Sequence, residues 1–289
     1  MRRRLVLVLL FAAVAAGCGD GSSSADPFAY DERHSLDVRR QPHVPVNDKV
    51  VVQSLTYASG DDRVEAYLVS PRAGGARLPA VVFLHGAGGN RDEQLGFAAE
   101  LAERGAVALT LTVPSRTKSP PADAAPGDLL RWQRDTVVGD VIATRRAFDV
   151  LVTDDRVDAS RLGLVGWSMG ARLAAIVADV DDRPKATVLM SGGAVPVRDY
   201  VNAAPDDLKD DLQDVLPAID PLTHVRTIRG ALFLQDGRSD AVVPSRALRA
   251  MAEAAPEGSR VTWYPADHAL NDQAAADRLD WLSARLGVG

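Results

Sequence analysis

The chain has 289 residues, 46% of them hydrophobic and 25% charged, which is the composition of an ordinary globular protein with enough length for one large core. Its 33 Lys and Arg against 39 Asp and Glu leave a net charge of −6, and the only basic block is Arg2, Arg3 and Arg4, so the footprint of a nucleic-acid-binding protein is absent. The single cysteine, Cys18, excludes a disulfide within the chain.

Three arginines precede an unbroken apolar run, residues 5–16. That run is too short for a membrane-spanning helix, which needs ~20 residues, and has the length of a secretory h-region. It ends in Ala15, Ala16, Gly17 and Cys18, which resembles a bacterial lipobox. The resemblance implies cleavage after residue 17 and a lipid on Cys18 that anchors the chain to a membrane outside the cytoplasm. Residues 19–27 are rich in Gly and Ser and read as a flexible tether. Residues 28–46 are polar, hold Pro42 and Pro45, and show no clear period. The expected division is 1–17 signal peptide, 18–48 anchor, tether and extended lead-in, and 49–289 catalytic domain.

Residues 49–57 and 63–70 are β-rich runs separated by Ala58, Ser59, Gly60, Asp61 and Asp62, and predict a hairpin. Residues 80–84 are continuously apolar, as in a strand buried on both faces, and end in His85-Gly86-Ala87-Gly88-Gly89. A helix is predicted over 92–104, closed by Gly105, and a strand over 106–113. The Pro-rich stretch 114–127 reads as a loop, and 128–152 as a long helix. The next strand, 161–167, ends at Gly166-Trp167-Ser168-Met169-Gly170, and a helix follows over 171–178. A strand over 186–190 leads into 191–224, a Pro-rich insertion around a short helix at 206–215. Then come strand 230–235, helix 245–255, strand 260–264 and helix 271–286. Strands alternating with helices predict an α/β fold: a mostly parallel, doubly wound sheet with an antiparallel N-terminal hairpin and helices on both faces.

The strand-turn-helix at Ser168 carries the pattern G-x-S-x-G, a nucleophile elbow. A serine hydroxyl is a poor nucleophile at neutral pH and needs a base, which in turn needs an orienting carboxylate. These groups belong on loops at the carboxyl edge of a parallel sheet, in the order Ser, acid, His. His268, after the last strand, is the only histidine downstream of the acid loop. Two acids compete on that loop: Asp236, directly after its strand, and Asp240; Asp236 could instead brace the turn. The oxyanion donors are expected at the backbone N–H of Met169 and of Ala87. His85 is read as a brace for the Ala87 loop. Met169, Trp132, Trp167 and Tyr200 are candidates for a pocket lining. No H-E-x-x-H pattern or close His/Cys cluster is present, so no metal is expected.

With these residues in place the chain resembles the α/β-hydrolase superfamily, and within it the dienelactone-hydrolase-like and acyl-esterase branch. The marks are His85-Gly86-Ala87-Gly88-Gly89, the run from Val157 and Asp158 through Arg161 to Gly170, Gly237-x-x-Asp240-x-x-Val243-Pro244, and His268. The resemblance implies that Asp240 is the triad acid, that the reaction is acyl transfer on a small-molecule ester, and that no cofactor is needed. Dienelactone hydrolases proper use cysteine where this chain has Ser168, so lactone specificity does not follow. Peptidases of the prolyl-oligopeptidase type share these patterns but carry a large propeller domain, for which the span from Cys18 to Val50 is too short. A non-catalytic binding protein on the same fold would be expected to lack a triad member. Residues 114–127 and 191–224 are expected to roof the substrate pocket.

Overall fold

A computed structural model describes residues 26–73, 77–195 and 197–288. The expected leader and Cys18 lie outside the described residues. Nine strands form one sheet: β1 (Arg39–Pro45), β2 (Val50–Ser59), β3 (Asp62–Pro71), β4 (Leu78–Leu84), β5 (Val107–Thr112), β6 (Val157–Trp167), β7 (Pro184–Met190), β8 (Ala231–Gly237) and β9 (Arg260–Tyr264), in the order β1-β2-β3-β5-β4-β6-β7-β8-β9. The first three strands run antiparallel to their neighbours, and β5, β4 and β6 to β9 are parallel.

The continuous apolar runs do what a sheet covered on both faces requires. In β4, Ala80, Val82 and Leu84 pack in one core cluster and Val81 and Phe83 in another. Helices α2 (Pro126–Val152) and α3 (Met169–Val180) contribute to the first cluster, and α1 (Leu95–Glu103) and α8 (Asp272–Leu286) to the second. Helix α7 (Ser245–Ala254) supplies Met251 to the first.

Some boundaries differ from expectation. The sheet begins before residue 49, because part of the lead-in is strand: β1 pairs antiparallel with β2, with a register shift between Arg40 and His43, and all seven of its residues are exposed. The antiparallel edge is therefore β1, not the β2–β3 hairpin. Upstream of it, Phe28 is buried in the core, its ring edge-on to His224, and the carbonyls of Phe28 and His34 accept from Arg145 and Arg146 of α2. The insertion after β7 is largely helical: α4 (Val197–Ala203), α5 (Asp206–Ile219) and α6 (Pro221–Val225). Helix α5 runs past the expected end at Val215, through Pro217. Residues 114–117 form a 3₁₀ turn within the first loop.

Two consequences of topology position the site. The chain leaves β4 for β5 on one side, then returns to β6 on the other, so a crevice opens at the carboxyl end of β4. The β4–β6 register pairs Leu84 with Gly166, which sets the 85–89 loop beside Ser168.

Candidate active site

The elbow is built by backbone sterics. Ser168 has φ +55°, a left-handed conformation that a non-glycine residue adopts at a cost of about 1–3 kcal/mol. The flanking glycines allow the turn. A β-carbon at Gly166 would strike the Gly170 carbonyl, and one at Gly170 would lie 2.6 Å from the carbonyl oxygens of Leu84 and His85. The Ser168 N–H donates to the Met190 carbonyl at 2.8 Å, which pins the turn to β7. Helix α3 starts at Met169, one residue after Ser168, and Ser168 does not cap it through its hydroxyl. Its first amides therefore point with the positive end of the helix dipole towards the space above Ser168.

The structure brings together the three residues expected from sequence. His268 Nε2 lies 2.9 Å from Ser168 Oγ, and His268 Nδ1 lies 2.8 Å from Asp240 Oδ2. The other Asp240 oxygen accepts the N–H groups of Val242 and Val243, each at 2.8 Å, and the side chain is 1% exposed. The carboxylate is thus held from three directions. Asp236 sits otherwise. It is buried, its Oδ2 has no hydrogen-bond partner among the described residues, and burial, with Asp240's charge adding to it, pushes its pKa up to about 7. The expected turn-bracing bonds belong to Asp240, because its side chain, not that of Asp236, faces the amides of residues 242 and 243.

On the opposite loop, Val113 N–H donates to His85 Nε2 at 3.2 Å. This fixes the proton on Nδ1, which donates to the Gly86 carbonyl at 2.7 Å. Burial lowers the pKa of the ring, in keeping with a neutral brace. Glu93 adds a second brace by accepting the Gly86 N–H at 2.6 Å. Ala87 is exposed at the tip of this loop, beside the elbow.

Sequence reading missed a second set of contacts. The carbonyl of His268 accepts both the Trp167 indole N–H at 3.0 Å and the Ser191 hydroxyl at 2.9 Å. The Trp167 ring also lies against the imidazole, centroids 5.3 Å apart. Its edge stands 2.8 Å from where a β-carbon at Gly86 would be. The indole of the residue before the nucleophile therefore touches both the 85–89 loop and the histidine loop. Ser191 has φ +51° and donates its own N–H to Gln235. Its signal in the sequence is position alone: it directly follows the apolar run of β7 at the carboxyl edge.

A cavity of about 530 Å³ opens beside Met169. Ser115 from the first loop and Val195, Leu212, Leu216 and Ile219 from the second insertion line it, so both segments contribute to its wall. Trp132 does not line it, and the Tyr200 side chain lies outside what is described. Asp140 borders the cavity, and burial pushes its pKa up to about 6 while it holds the Ser115 N–H at 2.9 Å.

Solved structures share this architecture. An acetyl xylan esterase from Paenibacillus sp. R4 superposes with a TM-score of 0.74 at 20% identity, over 87% of this chain and 89% of its own. Acetyl xylan esterase 1 from Thermoanaerobacterium sp. JW/SL YS485 gives 0.69 at 15% identity, over 86% and 87%. A glucuronoyl esterase from Solibacter usitatus gives 0.64 at 15% identity, over 87% and 86%. At these identities the likeness is one of fold. The sequence itself goes further: the profile of the dienelactone hydrolase family matches residues 64–283, well over half of the chain and every residue of the arrangement just described. The chain belongs to the dienelactone hydrolase family.

Proposed function

We propose that the protein is a serine hydrolase of carboxylic esters that works through an acyl-enzyme. The observation that carries this is the unbroken path Asp240–His268–Ser168, with links of 2.8 and 2.9 Å, beside the first amide of α3. In this mechanism Ser168 Oγ attacks the ester carbonyl carbon while His268 Nε2 takes its proton. The negative charge on the carbonyl oxygen is met by the Met169 N–H and the Ala87 N–H. Collapse breaks the bond to the alcohol oxygen, which leaves with the proton from His268. Water then gives a proton to His268 as it attacks the acyl-enzyme. When the bond to Ser168 Oγ breaks, His268 returns that proton to Oγ, which releases the acid and restores the serine hydroxyl. Asp240 stays ionised and holds the imidazolium. Trp167 and Ser191 fix the base by gripping its backbone.

The family relation and the esterase folds support an ester as the scissile bond. A serine-directed fluorophosphonate should label Ser168, and p-nitrophenyl esters should be turned over while aminoacyl-p-nitroanilides are not. Turnover of the anilides alone would move the reading to a peptidase. Labelling failure in the folded protein would leave a binding protein.

The arginine-led leader and the small residues before Cys18 support export and lipid anchoring at the cell membrane. The wild-type protein should fractionate with membranes and Cys18→Ala should not. Equal distribution of the two would refute the anchor.

A further inference from the structure

We propose that the cavity between α2, α3 and α5 is the acyl-binding site of this hydrolase, and that it selects straight acyl chains of about eight carbons. The proposal rests on the triad reading above and adds a substrate class to it.

Two helices turn apolar stripes towards this space, and α2 closes it with Leu130 and Val137 beside Gln133, Thr136 and Asp140. Met169, Leu173 and Ile176 of α3 stand at i, i+4 and i+7, and so share one face. Leu212, Leu216 and Ile219 of α5 repeat the same spacing. Val137 faces them from α2. Stripes of this kind normally interlock at 8–10 Å between axes and leave voids no larger than a water. Here they enclose about 530 Å³, a volume within the range of small-molecule sites. Of the polar groups on the wall, Asp140 holds the Ser115 N–H, Thr136 Oγ1 donates to the Trp132 carbonyl at 2.7 Å, and Arg172 Nε donates to the Gly193 carbonyl at 3.0 Å, while Gln133 adds an amide to the otherwise apolar lining. What the cavity offers a guest is mostly apolar surface.

The chemistry assigns the acyl half of the ester to it. The leaving oxygen must take its proton from His268 Nε2, so the alcohol lies on the histidine side. No residue between Asp236 and Leu270 lines the cavity. Met169 does, and its N–H faces the carbonyl oxygen in the proposed mechanism. The group that stays on Ser168 is therefore the one directed along α3. Length follows from helix geometry. Met169 to Ile176 is seven residues, about 10 Å at 1.5 Å each. A fully extended chain advances roughly 1.2 Å per bond, as a residue's three backbone bonds span at most ~3.6 Å, which gives about eight carbons.

The test is kcat/KM for p-nitrophenyl esters of increasing acyl length, set against alkyl acetates of increasing alcohol length. The acyl series should climb roughly fourfold per methylene, peak near octanoate and fall beyond about ten carbons; the alcohol series should stay flat. Val137→Trp and Val195→Trp fill the cavity from different walls. Each should lower the octanoate-to-acetate ratio of kcat/KM by about 20-fold or more. An acyl optimum at two to four carbons, a length preference confined to the alcohol series, or an unchanged ratio in folded variants would overturn the proposal. Should neither variant fold, product inhibition of the wild type decides: octanoate should inhibit at least about tenfold more strongly than butanoate, and equal inhibition would overturn it. Absence of both ester turnover and serine labelling is a different failure, which removes the hydrolase reading and this one with it.

Discussion

Ser168→Ala should lower kcat for ester hydrolysis by about a millionfold, the scale set by nucleophile deletions in serine hydrolases. The loss is large because one atom serves two steps. Without Oγ no acyl-enzyme forms, and the proton path from Asp240 through His268 ends on a methyl group. The rest of the cradle survives, since alanine keeps the β-carbon and leaves the backbone at φ +55° with the same strain. Substrate binding should therefore change little, and the melting temperature should stay within a few degrees. A residual rate of a few per cent of wild type, measured in protein free of wild-type contamination, would show that another group is the nucleophile.

The second large effect separates the two acids. Asp240→Asn should cost about 10⁴-fold in kcat, because an amide cannot hold the imidazole tautomer that the base step needs or stabilise its protonated form. Asp236→Asn should keep activity within about tenfold and should instead alter the pH dependence of stability. The folded protein favours the protonated Asp236 carboxyl, with a pKa of about 7 against an ordinary value of about 4 in the unfolded chain. Its contribution is therefore complete below pH 4 and is lost as pH rises through 7. The asparagine variant removes that loss, so its melting temperature relative to wild type should be higher at pH 8 than at pH 4. A 10⁴-fold drop in Asp236→Asn with an active Asp240→Asn would reverse the assignment.

The elbow was legible because its glycines answer a steric demand that leaves little freedom in the sequence. The parallel strands were legible because burial on both faces writes an uninterrupted apolar run. The choice between Asp236 and Asp240 was not a matter of spacing: Asp236 is the second-last residue of β8 and Asp240 lies just past its end, and it took the family pattern, and then the amides of Val242 and Val243, to separate them. Strand β1 escaped notice because it is exposed on both faces, so no alternation marks it. Helices α4 and α6 are too short to show a period, and α5 continues past the expected end at Val215 although Pro217 lacks the N–H that would bond back along the helix. The grip on the His268 carbonyl was illegible for another reason. Any correctly placed donor can make such a bond, so no residue pattern encodes it; the fold alone brings Trp167 and Ser191 to one oxygen.

The open side of β1 has a bearing on self-association. An unpaired strand is a template on which a second chain can build, and a nine-stranded sheet that exposes one risks growing into an aggregate. Arg39 and Arg40 place like charges along this rim. Pro45, next to Val46 whose N–H donates to β2, removes an amide donor from it, and the irregular register between Arg40 and His43, where Pro42 sits, breaks the even spacing that an incoming strand would need. The segment that looks least like a strand in the sequence thus ends the sheet in a form that discourages edge-to-edge polymerisation.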